Sequence, residues 1–351
     1  MKILIKTLSV LTLATTTGNL TSFLNSTIQK NNITTNYIQN KTQQDTIYID
    51  KDGKQITTSE RDLSNINSKE VIQIGFFKNN QQIQVVTMPE TIEKVPKQLP
   101  PEITSLREMF IKAKSFNQDI STWNTSHVTD MAYMFYGASV FNKNISSWNT
   151  FNVTDISYMF TRASAFNENI GNWDTSKVIN MSSIFFEATS FNQDLSTWNT
   201  SNVTNMNSIF NGASAFNNDL SKWNTLNVKN MHAIFCNATA FNKDLSTWNT
   251  SNVTNMSSMF YGASSFNQKI LNWNTSNVTS MDFMFYNATT FNENISKWNT
   301  KNVTNMNSMF YGASSFNQDL SKRNVNKVTS HEEFAIGSQI DNSNKLPKFK
   351  N

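Results

Sequence analysis

The stretch FNQDLSTWNTSNVTNMNSIFNGASA, Phe191–Ala215, decides the architecture because it returns with little change on both sides. Phe stands at every twenty-fifth position from Phe110 to Phe310 and again from Phe116 to Phe316. Trp does so from Trp123 to Trp298, Ala from Ala113 to Ala313 and Asn from Asn117 to Asn317. No insertion breaks the register. A fixed period of this length means stacked units, each burying its apolar face against its neighbours.

Within a unit the two halves read differently. Val128, Met131, Met134, Phe135 and Ala138 fall on one stripe at about 100° per residue, which predicts a short helix with Ser126 or a neighbouring Thr as N-cap. Asn117–Trp123 is too short for a helix and reads as an extended segment carrying Ile120 and Trp123 inward. The expected fold is therefore an α/β solenoid: a leucine-rich-repeat-like array of nine 25-residue coils, each a short extended segment plus a short helix. With a rise of about 4.8 Å per coil, the array would run roughly 40–45 Å. The Asn117 and Asn124 columns are expected to link successive coils through their amides, as stacked Asn ladders do.

Composition agrees with a repeat and excludes several classes. Of 351 residues only 15% are charged, yet the chain holds 26 Phe and 8 Trp, too many large apolar side chains for a disordered polymer. Residues 101–325 carry 14 basic and 14 acidic groups, so the net charge of +4 comes from the ends. That balance disfavours a nucleic-acid partner, which needs a concentrated positive surface. One Cys rules out a disulfide scaffold and a Cys-based metal site within the chain.

The flanks read as separate parts. Lys2, Lys6 and the apolar run Thr7–Ala14 predict a signal peptide over 1–25, too short to span a bilayer. Residues 26–44, rich in Asn, Thr and Gln, read as a flexible linker. Over 45–90, the Asp52-Gly53 turn and the runs Val71–Phe77 and Gln82–Met88 predict a small β-rich cap region. The array then occupies 91–334, and 335–351 form a terminal cap and a polar, flexible tail. In the last coil of the array, Arg323 replaces Trp and His331 replaces Met, as suits a coil without a further neighbour.

The segments Ser296–Phe310 (SKWNTKNVTNMNSMF) and Met309–Gln318 (MFYGASSFNQ) resemble the repeat of BspA-type leucine-rich-repeat surface proteins, in the 25-residue version found in mycoplasmas. Val95–Phe110 (VPKQLPPEITSLREMF) resembles their lead-in segment. The resemblance implies a secreted or surface-exposed protein of adhesion or host contact, and it offers no catalytic residues to carry over. Unlike lipid-anchored members, this chain has no Cys after its apolar start.

Candidate sites are few. No nucleophile–base arrangement, phosphate loop or paired-carboxylate motif stands out, so no enzyme and no cofactor are expected. The column Asp119, Asp194, Asp219, Asp244 and Asp319 suggests calcium, but Asn144, Asn169, Asn294 and Lys269 interrupt it, and no metal is expected. His127, His232 and His331 stand apart, and Cys236 has no neighbouring base. The remaining feature is an outward aromatic set in two columns: Tyr133, Tyr136, Tyr158, Phe186, Tyr261, Phe283, Tyr286 and Tyr311. Beside uncharged polar side chains, such rings suit contact with a host or cell-surface protein or glycan. The rival reading is a structural or antigenic coat protein with no single ligand.

Overall fold

The computed structural model describes residues 41–350; the signal-peptide reading and the linker up to residue 40 lie outside them. Six strands open the described chain: β1 Gln43–Gln44, β2 Thr46–Ile49, β3 Gln55–Thr58, β4 Glu70–Gln73, β5 Phe76–Asn79 and β6 Gln82–Val85. They form two antiparallel sheets, ordered β3-β2-β4 and β1-β5-β6. The β2–β3 hairpin turns where Asp50 accepts the backbone N–H groups of Asp52 and Lys54 and Gly53 takes φ +79°. β1, at the end of the segment read as linker, pairs with Phe76 and Phe77. The β6 side of its sheet continues into the first coil: Val85 N–H donates to Ser105 O at 3.0 Å, and Met88 N–H to Met109 O at 2.8 Å.

The array from residue 91 onward corrects the sequence-based fold class. No helix occurs among the described residues, and no named strand lies beyond β6. An α/β coil with one helix is therefore not the unit; each coil is a chain of tight turns. In the stretch read as helix, Met131, Tyr133, Phe135 and Gly137 donate their N–H groups to the next coil, at Asp155, Ser157, Met159 and Thr161. Alternating with them, Met134, Tyr136 and Ala138 donate three residues back, and Ala132 donates to Asp130 Oδ1. An α-helix would send all these donors four residues back. Two positions per coil also sit in the left-handed region. Tyr133 has φ 59° and Gly137 φ 69°, and the equivalents of Tyr133 from Glu108 to Glu333 fall between 48° and 60°. Alternate turns reverse the chain often enough to bury every third or fourth residue, which mimics a helical stripe.

The other half is corrected as well. Asn117–Trp123 forms no ladder; its backbone closes a turn from Trp123 N–H to Ile120 O. The parallel bridging from coil to coil runs through a different column, Ser105–Asp130–Asp155–Asn180 and onward to Ser330, one residue per coil.

The core columns are buried from Phe110 to Phe310, with Ile120, Trp123, Val128, Met131 and Ala113 and their equivalents beside them. Within a coil Phe110 and Phe116 stack at 3.9 Å, and between coils Phe110 and Phe135 lie 5.6 Å apart. Each indole also ties its coil to the one before. Trp148 Nε1 donates to Ile120 O, Trp173 to Ile145 O and Trp198 to Ile170 O, and this continues to Trp298 on Ile270 O.

The Asn117 column does link coils, with its amide oxygen as acceptor for backbone: Asn142 N–H donates to Asn117 Oδ1 at 3.0 Å, and the pattern repeats to Asn317 on Asn292. The Asn124 column does not link coils. Its amide oxygen closes a local turn on Ser126 N–H, while the neighbouring Thr125 hydroxyl bonds Asn149 O in the next coil.

The carboxy-terminal segment is packed against the last coil. Phe349 stacks on His331 at 4.1 Å and meets Phe334 edge-on, and Ile340 is fully buried. Lys345 Nζ fills the last rung of the Asn ladder by donating to Asn317 Oδ1 at 2.6 Å, and its carbonyl accepts from Leu320 N–H. The reading of 339–350 as loose tail misses this because the anchoring groups are a lysine amine and single apolar residues without periodicity.

Candidate functional site: the outer aromatic rows

The eight aromatic residues read as outward-facing are all half-buried. Because the coils stack in register, side chains at one column become neighbours, and the rings fall into two clusters. Tyr261 and Tyr286 stack at 4.6 Å with planes 1° apart, and Tyr286 and Tyr311 at 4.8 Å and 6°. Phe283 leans on Tyr286 at 6.0 Å. At the amino end Tyr133 stacks on Tyr158 at 4.5 Å and tilts against Tyr136. Phe186 joins neither cluster: Thr161 precedes it and Asn211 and Cys236 follow it in the column.

Ring spacings of 4.6–4.8 Å match the separation of paired strands, about 4.8 Å, and come directly from the coil stacking. Faces inside the rows are covered by neighbouring rings, so ring edges and hydroxyls meet solvent. Desolvation, with Tyr261 and Tyr311 adding to it, holds the Tyr286 phenol above its ordinary range. Tyr286 therefore stays protonated at neutral pH, and its hydroxyl can both donate and accept.

Sequence reading missed the charge at the amino cluster. Arg107 lies over the Tyr133 ring at 5.8 Å and bridges Asp130 (2.8 Å) and Asp155 (3.3 Å). Burial outweighs these bonds at Asp130 and raises its carboxyl. The signal was present in register: Asp130 and Asp155 are the carboxylates of the bridging column, and Arg107 belongs to the coil before them.

The remaining candidates have plain local roles. In the Asp119 column each Asp or Asn accepts an N–H two residues on: Ser121 for Asp119, Ser146 for Asn144 and Ser221 for Asp219. That turn needs only a side-chain oxygen, which explains why Asp and Asn interchange. No group of three or more His, Cys, Asp or Glu able to hold a metal occurs among the described residues. Cys236 is half-buried, and burial pushes its thiol up to about 11. Among the described residues no helix is long and apolar enough to cross a membrane.

A stack of turn-built coils, tied by Trp, Asn and Thr side chains and carrying its variation on the outside, defines a tandem-repeat protein. Residues 75–177, 165–253 and 241–346 match the model of the family described as "Mycoplasma protein of unknown function, DUF285", and the chain belongs to that family. These matches do not extend to BspA-type leucine-rich-repeat proteins. No curated protein and no solved structure matches the chain.

Proposed function

We propose that this protein is exported and acts at the cell surface as a non-catalytic contact protein, binding a host or cell-surface protein through its outer aromatic rows. The observation that carries this reading is the Tyr261–Tyr286–Tyr311 row. Three half-buried phenols stack at a regular spacing of 4.6–4.8 Å, with Phe283 against the middle ring. Tyrosine gives a large, rigid contact area at low entropic cost. A protein partner is favoured over a stacked sugar because the ring faces within the row are already covered by each other. A glycan would find a free face only at the two ends.

The test is binding of the purified chain to intact host cells and extracellular matrix, for wild type and a Tyr261→Ser/Tyr286→Ser/Tyr311→Ser variant. Saturable binding that falls at least tenfold in the variant supports the reading. Unchanged binding, or no saturable binding by wild type, favours the coat-protein alternative. Protease shaving of intact cells checks export, since repeats protected inside the cell would overturn it.

A further inference from the structure

The Trp column ends at Trp298, and what replaces the next indole leaves an uncompensated cation. Arg323 stands where the ninth Trp would be. Its guanidinium donates to Ile295 O at 2.9 Å, the carbonyl an indole N–H would reach by the column's rule, and to Trp298 O at 2.6 Å. Two of five N–H groups are thus used, both on neutral carbonyls. None of the ion pairs among the described residues includes Arg323. A half-buried cation without an anion loses hydration and gains no Coulombic return. Desolvation accordingly lowers the Arg323 pKa, with no carboxylate opposing it.

Beside it opens a hollow of about 530 Å³, whose walls include Ser296, Asn299, Lys322, Arg323 and Asn324. The free groups here are mainly donors. The amide oxygens of Asn299 and Asn324 are taken by the N–H groups of Lys301 and Asn326, which leaves their NH₂ groups available. The one carboxylate in the wall, Asp319, is engaged by Ser321 N–H at 2.9 Å. Lys322 is exposed and offsets the charge of the Asp319 carboxylate, so the wall keeps one net positive charge, that of Arg323.

We propose that this hollow is an oxyanion-binding site, with Arg323 supplying the net charge and the Asn299 and Asn324 amides and the Ser296 hydroxyl supplying hydrogen bonds. A planar guanidinium with free N–H groups suits a carboxylate or phosphate. The volume admits a sugar acid. The site is separate from the aromatic rows, so the two readings fail independently.

Isothermal titration of the full chain with glucuronate, glucose and inorganic phosphate tests it. The expected result is saturable glucuronate binding, no glucose binding and competition by phosphate. Arg323→Trp restores the residue of the column and is expected to fold, as a thermal melt checks, while weakening glucuronate at least tenfold. Arg323→Gln, which removes the charge with less bulk, is expected to do the same. The Tyr261→Ser/Tyr286→Ser/Tyr311→Ser variant keeps full glucuronate affinity. Phosphate binding without glucuronate binding supports the site and assigns it to the free anion. Equal binding of glucose and glucuronate, equal affinity in wild type and both Arg323 variants, or no binding of either anion overturns the proposal.

Discussion

Each Trp has two separable roles, ring packing in the core and an N–H that ties two coils. At Trp198 the ring stacks between Trp173 and Trp223 at 6.4 Å on both sides, and Nε1 donates to Ile170 O at 3.0 Å. Trp198→Phe keeps an aromatic in the column but removes the donor and part of the volume. The expected loss is about 2–3 kcal/mol, from one buried hydrogen bond and a small cavity. Urea unfolding checks this; a loss under about 0.5 kcal/mol would mean that the indole bond contributes nothing. Arg323 shows the same division from the other side, since it keeps the bond to the Ile295 carbonyl and gives up the ring.

The turn is the working element of this fold, and its side-chain oxygens make it sensitive to acid. Hydrogen bonds from Ser121, Ser176, Ser221 and Ser321 hold the carboxyls of Asp119, Asp174, Asp219 and Asp319 below their ordinary value. A depressed folded-state pKa gives stability that is complete above the unfolded pKa and is lost as pH falls through the folded one. These four groups therefore destabilise the fold as pH drops below about 4. Asp130 acts oppositely: burial raises its carboxyl, so its contribution improves on acidification. Replacing all four turn residues by Asn, which already makes the same bond at Asn144, should flatten the dependence of melting temperature on pH between about 2 and 5. A slope equal to wild type would show that these carboxylates do not set the acid response.

At the scale of the molecule, every coil is bonded to the next by the same set of contacts, so the array should tolerate removal of a whole period. Deleting residues 191–215 brings Phe216 into the place of Phe191 and restores each bond type. Stability should fall, and the urea m-value should shrink in proportion to the surface lost, with a single transition kept. Deleting only 191–202 puts polar residues at core positions and should abolish cooperative unfolding. Circular dichroism against urea distinguishes the two outcomes. Both ends are closed by different means, β6 at one and Phe349 with Lys345 at the other.

What the residues alone determined was the period, the buried columns and the Asn117 ladder, because these depend only on which side chains recur. Phe110, Trp123 and Met131 are inside whatever backbone carries them. The backbone itself was not legible: a 3-3-1-3 apolar spacing is produced by a helix and equally by alternate tight turns. The difference lies in φ at positions such as Tyr133 and Ser258, where no glycine announces a left-handed residue. Only the stacked structure decided between them, because about half of the N–H donors in that stretch have partners 24 residues away, in the next coil, rather than in their own turn. The same holds for the surface. The sequence placed the aromatic rings outward, while stacking decided that Tyr261, Tyr286 and Tyr311 cover one another's faces. Stacking also left Arg323, one residue out of pattern, as a half-buried cation without an acidic partner.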